Sequence, residues 1–247
     1  MNSEAFISYR DIWKAFGKNV IYEGFNLDIL RGETITVIGG SGTGKSVMLK
    51  MLIGLIAPDK GSIIFSGEDI TQMAEEHLVG VRRRIAMLFQ GAALFDSLTV
   101  SENIQYPLLE HLKMSESERA ARVAEVLELV GLPGIENMKP AELSGGMKKR
   151  VGLARAIAVK PDVIMYDEPT TGLDPINTNR INDNIIKMKE VLGVTSIVIT
   201  HDMQSAFKVS DRMALLYKKR IEAVGTVDEL RHSENKEILA FIEGRVT

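Results

Sequence analysis

Residues 39–46 read Gly39-Gly40-Ser41-Gly42-Thr43-Gly44-Lys45-Ser46, and the spacing G-x4-G-K-[ST] suits a polyphosphate. Glycines let successive backbone N–H groups turn toward one anion without side-chain clashes. A helix beginning near Ser46 would add the positive end of its dipole. Lys45 brings a mobile point charge matched to β and γ phosphates, and Ser46 offers a hydroxyl to Mg²⁺. Downstream, Val163-Ile164-Met165-Tyr166-Asp167-Glu168 reads as an apolar strand that ends in two acids. An acid at the end of a buried parallel strand is costly without a partner, and Mg²⁺ bridged to nucleotide phosphates is such a partner. Asp167 would hold the ion, directly or through water. Glu168 would lie by the γ-phosphate and orient or deprotonate the attacking water. The plainer alternative is two acids that cap a strand–turn.

The elements that must position these groups follow from periodicity. Thr34 to Ile38 is a β-branched run and reads as a buried strand, followed by the Gly-rich turn and an apolar helix over Ser46 to Ile56. Phe6 to Tyr9, Phe25 to Leu30 and Ile63 to Phe65 read as short strands. Val123, Val126, Leu127 and Val130 fall on one face of a helix over Ser115 to Val130, with Ser115 and Glu118 as its capping box and Gly131 and Pro133 beyond its end. A further helix is expected over about Ser144 to Val159. After Pro161 the α/β alternation resumes with a strand to Tyr166. A helix then starts at Pro175 with Asp174 as N-cap, and Gly193 closes it. Val194 to Thr200 is another buried strand. Arg212 to Val224 reads as a hairpin, followed by a short helix near Glu234 to Ile242. An α/β core is thus interrupted by a mostly helical segment, about Gly91 to Lys160.

Composition narrows the class. The chain has 247 residues, 45% hydrophobic and 26% charged, with formal net charge −3 and no cysteine. The charge gives no electrostatic case for a nucleic-acid partner. Without cysteine there is neither a disulfide framework nor a thiolate zinc site. No apolar run reaches the roughly 20 residues that span a bilayer, since Met48 to Ala57 is broken by Lys50 and Gly54. Met1 to Tyr9 lacks the basic start and apolar stretch of a signal peptide. A cytoplasmic protein is expected, with any membrane contact made through another protein.

Five further stretches lie in an order that resembles the ABC ATPases. Leu143-Ser144-Gly145-Gly146-Met147 resembles their signature, usually written LSGGQ, and Ser144 with Gly145 and Gly146 would begin a helix whose free N–H groups can bind an anion. Gln90 resembles the Q-loop glutamine that senses Mg²⁺ and the γ-phosphate. Thr171-Gly172-Leu173-Asp174 resembles the D-loop. His201, after the Val194 to Thr200 strand, resembles the switch histidine. Phe16, in Lys14-Ala15-Phe16-Gly17, matches the aromatic that stacks on adenine, although a core or strand-end phenylalanine is the alternative. The resemblance implies an α/β fold: a P-loop NTPase core of ABC type, an antiparallel β subdomain and an inserted helical subdomain. The implied organisation is a single domain over 1–247, with residues 1–90 and 161–247 as nucleotide-binding core and β subdomain, and 91–160 as the helical signature subdomain. It also implies ATP and Mg²⁺ as ligands and a head-to-tail homodimer, because the signature closes over the γ-phosphate on the partner's P-loop. The runs Arg82-Arg83-Arg84 and Lys148-Lys149-Arg150 are expected to be solvated helix faces or inter-subunit contacts. His77, His111 and His232 have no motif context.

The branch is narrower still. Met147 stands where Gln is usual. With the stretches Met87 to Val100, Tyr106-Pro107-Leu108 and Leu153 to Ala158, it resembles the lipid-transport ATPases that work with Mce-domain proteins, where that methionine is normal. That likeness implies an integral membrane permease, an Mce-domain protein, in some systems a small STAS-domain subunit, and a place on the cytoplasmic face of the inner membrane. Gly91 to Pro107 would receive the permease's coupling helix, with Leu94, Phe95 and Leu98 in the contact. Alternatives are the ATPase of an importer for small polar solutes such as amino acids, and a soluble ABC ATPase outside transport. Little chain follows the core for the regulatory domain of sugar importers. The interval from P-loop to signature has no sustained heptads of the kind chromosome-maintenance ATPases carry.

Overall fold

The computed structural model describes residues 5–242. In chain order, β1 is Ala5–Phe16, β2 Asn19–Leu30, β3 Thr34–Ile38, α1 Lys45–Leu52, β4 Lys60–Phe65 and β5 Glu68–Asp69. Next come α2 Glu75–Arg84, β6 Ile85–Leu88, α3 Val100–His111, α4 Glu116–Leu129, a 3₁₀ turn at Pro140–Glu142, α5 Gly145–Ile157 and β7 Val163–Asp167. The last are α6 Pro175–Leu192, β8 Thr195–Ile199, α7 Met203–Val209, β9 Arg212–Tyr217, β10 Arg220–Thr226, α8 Val227–Arg231 and α9 Lys236–Ile242. The class is α/β. The chain forms two compact units: one runs up to Arg82 and resumes at Thr195, and the other is Arg83–Val194. No described helix is long and apolar enough to cross a membrane.

In the first unit, an antiparallel sheet has the order β2–β1–β4–β5. A second set of strands runs β10–β9–β3–β8, where β3 is parallel to both neighbours and β9–β10 is an antiparallel hairpin. All five residues of β3 and of β8 are buried, as expected of parallel strands covered on both faces. Tyr9, Tyr22 and Phe25 pack ring to ring, and the Tyr9 hydroxyl donates to Met48 O at 3.1 Å, which ties the β1–β2 ribbon to α1. A further cluster joins Ile38, at the end of β3, to Ala206 of α7, Met213 and Leu215 of β9, Leu230 of α8 and Ile238 of α9. Each buried Ile, Leu or Met side chain among these contributes about 1.5–3 kcal/mol.

In the second unit β6 and β7 pair in parallel. α4 buries Val123, Val126 and Leu127, and α5 buries nine of its positions, Gly146 to Ile157. Arg122 of α4 is buried and donates to Ile157 O and Ala158 O at 2.7 and 3.0 Å, so the last carbonyls of α5 find donors.

Several expectations change in detail. β1 and β2 are long ribbons of 12 residues, not short strands, because register shifts between Ala5 and Ala15 let polar residues interrupt the apolar pattern without ending the pairing. α1 stops at Leu52, since Gly54 takes a left-handed conformation with φ +67°. α2, β6, α3, α7 and α8 are additional elements. Lys149 and Arg150 are not a solvated face: both are buried, and their heads reach backbone carbonyls. Arg82 and Arg84 are half-buried ion-pair partners of Glu75 and Asp162, and Arg83 is exposed.

Glu102, Glu118 and Glu229 close reciprocal capping boxes at the starts of α3, α4 and α8. The cap-residue N–H each carboxylate accepts holds its pKa below the ordinary 4.5. A depressed folded value means stabilisation that is present above the unfolded value and lost as pH falls through the folded one. Thermal midpoints should therefore be flat from neutrality to about pH 5 and then fall, and the triple Glu→Gln variant should lose less below about pH 5 than wild type.

Candidate functional site

In the first unit, β3 runs straight into the glycine loop. A Cβ built on Gly39 would lie 2.6 Å from Leu216 O, so the loop's first residue admits no side chain. Gly44 has φ +105°, and a Cβ there would meet Ile21 Cγ2 at 2.4 Å. Gly44 O accepts from Val47 N, Met48 N and the Tyr22 hydroxyl, the last at 2.6 Å. Burial pushes the Tyr22 phenol well up, so it stays a donor. Lys45 is buried at the start of α1, and its ammonium donates to Gly39 O and Gly40 O at 2.7 and 2.9 Å. Thr43 Oγ1 also donates to Gly40 O. Ser41 and Gly42 are exposed at the crest, and Ser46 is half-buried one residue into α1. The result is a short backbone cradle with a cation inside it, at the N-terminus of a helix. This fits a polyanion.

β8 lies beside β3 with Val37 opposite Ile199, so His201 leaves the sheet at the same end as the loop, exposed to solvent. Phe16 ends β1, paired with Asn19. It is 47% exposed, which removes the core alternative, and Lys14 Nζ lies 5.2 Å from its ring centre. Tyr22, paired with Lys14 in the same ribbon, bonds Gly44 O, so the ribbon's open end is carried to the loop.

In the second unit, the Leu88–Tyr166 pairing of β6 and β7 sends Gln90 and the acids out at one end. Gln90 is exposed. The following Ala92 and Ala93 have φ +62° and +49°, and the Arg155 guanidinium of α5 donates to both carbonyls at 2.9 and 2.8 Å. Asp167 is half-buried at the end of β7. Glu168 has φ +50°, an uncommon conformation for a non-glycine residue that costs on the order of 1–3 kcal/mol. Thr171 restrains it, with Oγ1 donating to Glu168 Oε2 at 3.0 Å and N to Glu168 O at 3.3 Å. Lys149 donates to Pro169 O and Thr171 O at 2.8 and 2.7 Å. Burial lowers the pKa of Lys149, and the nearby Glu168 charge partly offsets that.

Ser144 is the N-cap of α5, its Oγ accepting from Met147 N at 3.3 Å, and both it and Gly145 are exposed. Gly146 is buried, and a Cβ there would lie 2.6 Å from the Asn177 side chain of α6. Asp174 caps α6 by accepting from Ile176 N and Asn177 N at 3.0 Å, and those contacts hold its pKa low. Its carboxylate also accepts from Asn177 Nδ2. From the sequence, Lys149 is expected in a solvated or inter-subunit run, and Arg155 and Tyr22 have no expected role at the site. The available signal was that Lys149, Gly152 and Ala156 share one face of α5: small residues on that face announce a close approach, and Leu88 would lie 3.0 Å from a Gly152 Cβ.

A family profile described as ABC transporter matches residues 22–171. The intermembrane phospholipid transport system ATP-binding protein MlaF of Escherichia coli K12 is 39% identical over 238 residues, 96% of this chain and 88% of MlaF. The probable ribonucleotide transport ATP-binding protein mkl of Mycobacterium leprae is 41% identical over 239 residues, 97% of this chain and 69% of mkl. A dimeric ATP-binding cassette solved in a post-hydrolysis state with ADP and Pi matches with TM-score 0.81 and 31% identity, over 90% of this chain and 98% of that one. The chain belongs to the ABC transporter family, as an ATPase cassette.

Gly146→Ala must displace Asn177 or tilt α5. It should destabilise the protein by about 1–3 kcal/mol in denaturant titrations. ATPase turnover should fall with it, because the Asp174–Asn177 cap is disturbed at the same time.

Proposed function

We propose that this chain is the ATP-hydrolysing subunit of a transporter that moves phospholipid in the bacterial cell envelope. The observation that carries the ATPase is the cradle in which Lys45 is buried under Gly39 O and Gly40 O at the head of α1. ATP phosphates would draw the ammonium from these carbonyls and replace weak neutral acceptors with charged ones, which strengthens each hydrogen bond about twofold. Ser46, Gln90 and Asp167 each carry the kind of oxygen donor Mg²⁺ takes, and the family resemblance assigns the ion to them, where it would neutralise charge on the β and γ phosphates. Phe16, exposed at its strand end, stacks on adenine. Glu168 orients or deprotonates the attacking water, and His201 contacts the γ-phosphate. Ser144, Gly145 and Gly146 present N–H groups to the nucleotide of a second copy in a homodimer, and Asp174 shapes that contact through its cap of α6.

Transport itself rests on partners. The identity to MlaF favours phospholipid as cargo. The resemblance to the Mce-linked branch would add a permease subunit in the inner membrane, an Mce-domain protein and, in some systems, a STAS-domain subunit, with the cassette on the cytoplasmic face. Phe95, Tyr106 and Leu109 are 44%, 46% and 58% exposed, and the rings of Phe95 and Tyr106 lie 5.0 Å apart. This apolar surface, with half-buried Leu94 and Leu98 beside it, suits a permease helix. The name of mkl supports a second reading, ribonucleotide transport.

Pull-down of the tagged chain from membranes, with lipid analysis of the complex, separates the two readings. Recovery of a permease, an Mce-domain protein and bound phospholipid is expected, whereas nucleotide uptake without lipid binding would favour the second. Lys45→Ala should weaken ATP binding about 100-fold by calorimetry, the loss of two charge-assisted hydrogen bonds. Glu168→Gln should bind ATP normally and lose about 10²–10⁴-fold in turnover. Wild-type turnover in that variant would remove Glu168 as the base.

A further inference from the structure

The second unit contains a buried cation with no part in the ATP chemistry described so far. Lys149 lies in α5, one turn beyond the Ser144 cap, and is 6% exposed. A lysine rarely gives up its water unless the protein replaces it. Here the replacement is two backbone carbonyls, Pro169 O at 2.8 Å and Thr171 O at 2.7 Å. These carbonyls bracket the turn that starts at Glu168, whose backbone is held at φ +50°. The same turn is closed by Thr171 N on Glu168 O and by Thr171 Oγ1 on Glu168 Oε2. Lys149 fixes Thr171, and Thr171 fixes both the backbone and the carboxylate of Glu168.

We propose that Lys149 is a positioning residue for hydrolysis, holding the 168–171 turn so that the Glu168 carboxylate keeps one orientation. The inference rests on the assignment of Glu168 as the group that handles the attacking water. Lys149 reaches that group from the helix that Ser144 begins, so the signature end of α5 and the Glu168 turn are joined by one side chain. A strained backbone persists only where its surroundings over-determine it. Lys149 supplies the restraint from outside the turn. The ammonium also lies near enough to Glu168 for their charges to interact.

The test compares Lys149→Met, which keeps length but no donor, with Lys149→Gln, which keeps an N–H₂ group. Steady-state ATPase of the assembled transporter is read beside nucleotide affinity of the full chain and amide hydrogen exchange across 168–173. Lys149→Met should lose about 10- to 100-fold in kcat, the scale of a misplaced catalytic group, with KM for ATP and affinity within about twofold. Exchange should quicken at the Thr171 amide and stay unchanged in the 39–46 loop. Lys149→Gln should lie between Lys149→Met and wild type in both rate and exchange. Wild-type kcat in either variant despite faster exchange in the turn would overturn the proposal. So would a loss of ATP affinity as large as the loss of turnover, which marks a general structural role. If Lys149→Met does not fold, Lys149→Gln decides by the same readouts. Wild-type turnover of Glu168→Gln would instead refute the role of Glu168, so the two failures are distinguishable.

Discussion

A polyphosphate can be gripped only where several unsatisfied donors converge, and a folded backbone rarely leaves donors unsatisfied. The turn from β3 to α1 resolves this conflict within eight residues. Gly39 lets the chain pass against Leu216 O, and Gly44 turns it left-handed into the helix. The first N–H groups of α1 have no intrahelical acceptor. The Lys45 ammonium is held among the loop carbonyls. Tyr22 completes the arrangement from a different element by donating to Gly44 O. A side chain on Gly39 or Gly44 would collide with β9 or with Ile21, so the glycine positions are dictated by neighbours as much as by the ligand.

Parallel pairing spreads that chemistry along the sheet ends. Parallel strands start and finish together, so whatever follows one strand emerges beside whatever follows the next. β3 and β8 bring the glycine loop and His201 to one end of the first unit. β6 and β7 bring Gln90 and the two acids to one end of the second. In the second unit α5 organises both loops: Arg155 holds the carbonyls after Gln90, and Lys149 holds those after Glu168. The helix that starts at the signature therefore reaches the turns that follow both strands of its unit.

Much of this was legible in the linear chain, for physical reasons. The glycine loop, the acid pair and the caps of α4 and α6 are local: each needs only residues within a few positions, and propensity and hydrogen-bonding chemistry act at that range. Ser115 with Glu118, Asp174 before Pro175 and Gly193 with φ +65° all stand where their residue types require. The long β1–β2 ribbon was less legible, because cross-strand partners and register shifts override alternation. α3 and α7 were hidden by short, mixed-polarity windows, and α3 carries Pro107 within it.

By itself, the sequence determined which groups could do chemistry, since residue type and spacing set what a loop can bind, and it placed the chain among the ABC ATPases. The tertiary structure alone decided which charges are solvated. Lys148-Lys149-Arg150 reads as a polar run, yet Lys149 and Arg150 point into the protein, where their heads meet carbonyls distant in sequence, Pro169 O, Thr171 O and Gly131 O. Burial of a cation depends on acceptors that arrive from elsewhere in the chain, and no local pattern encodes their arrival.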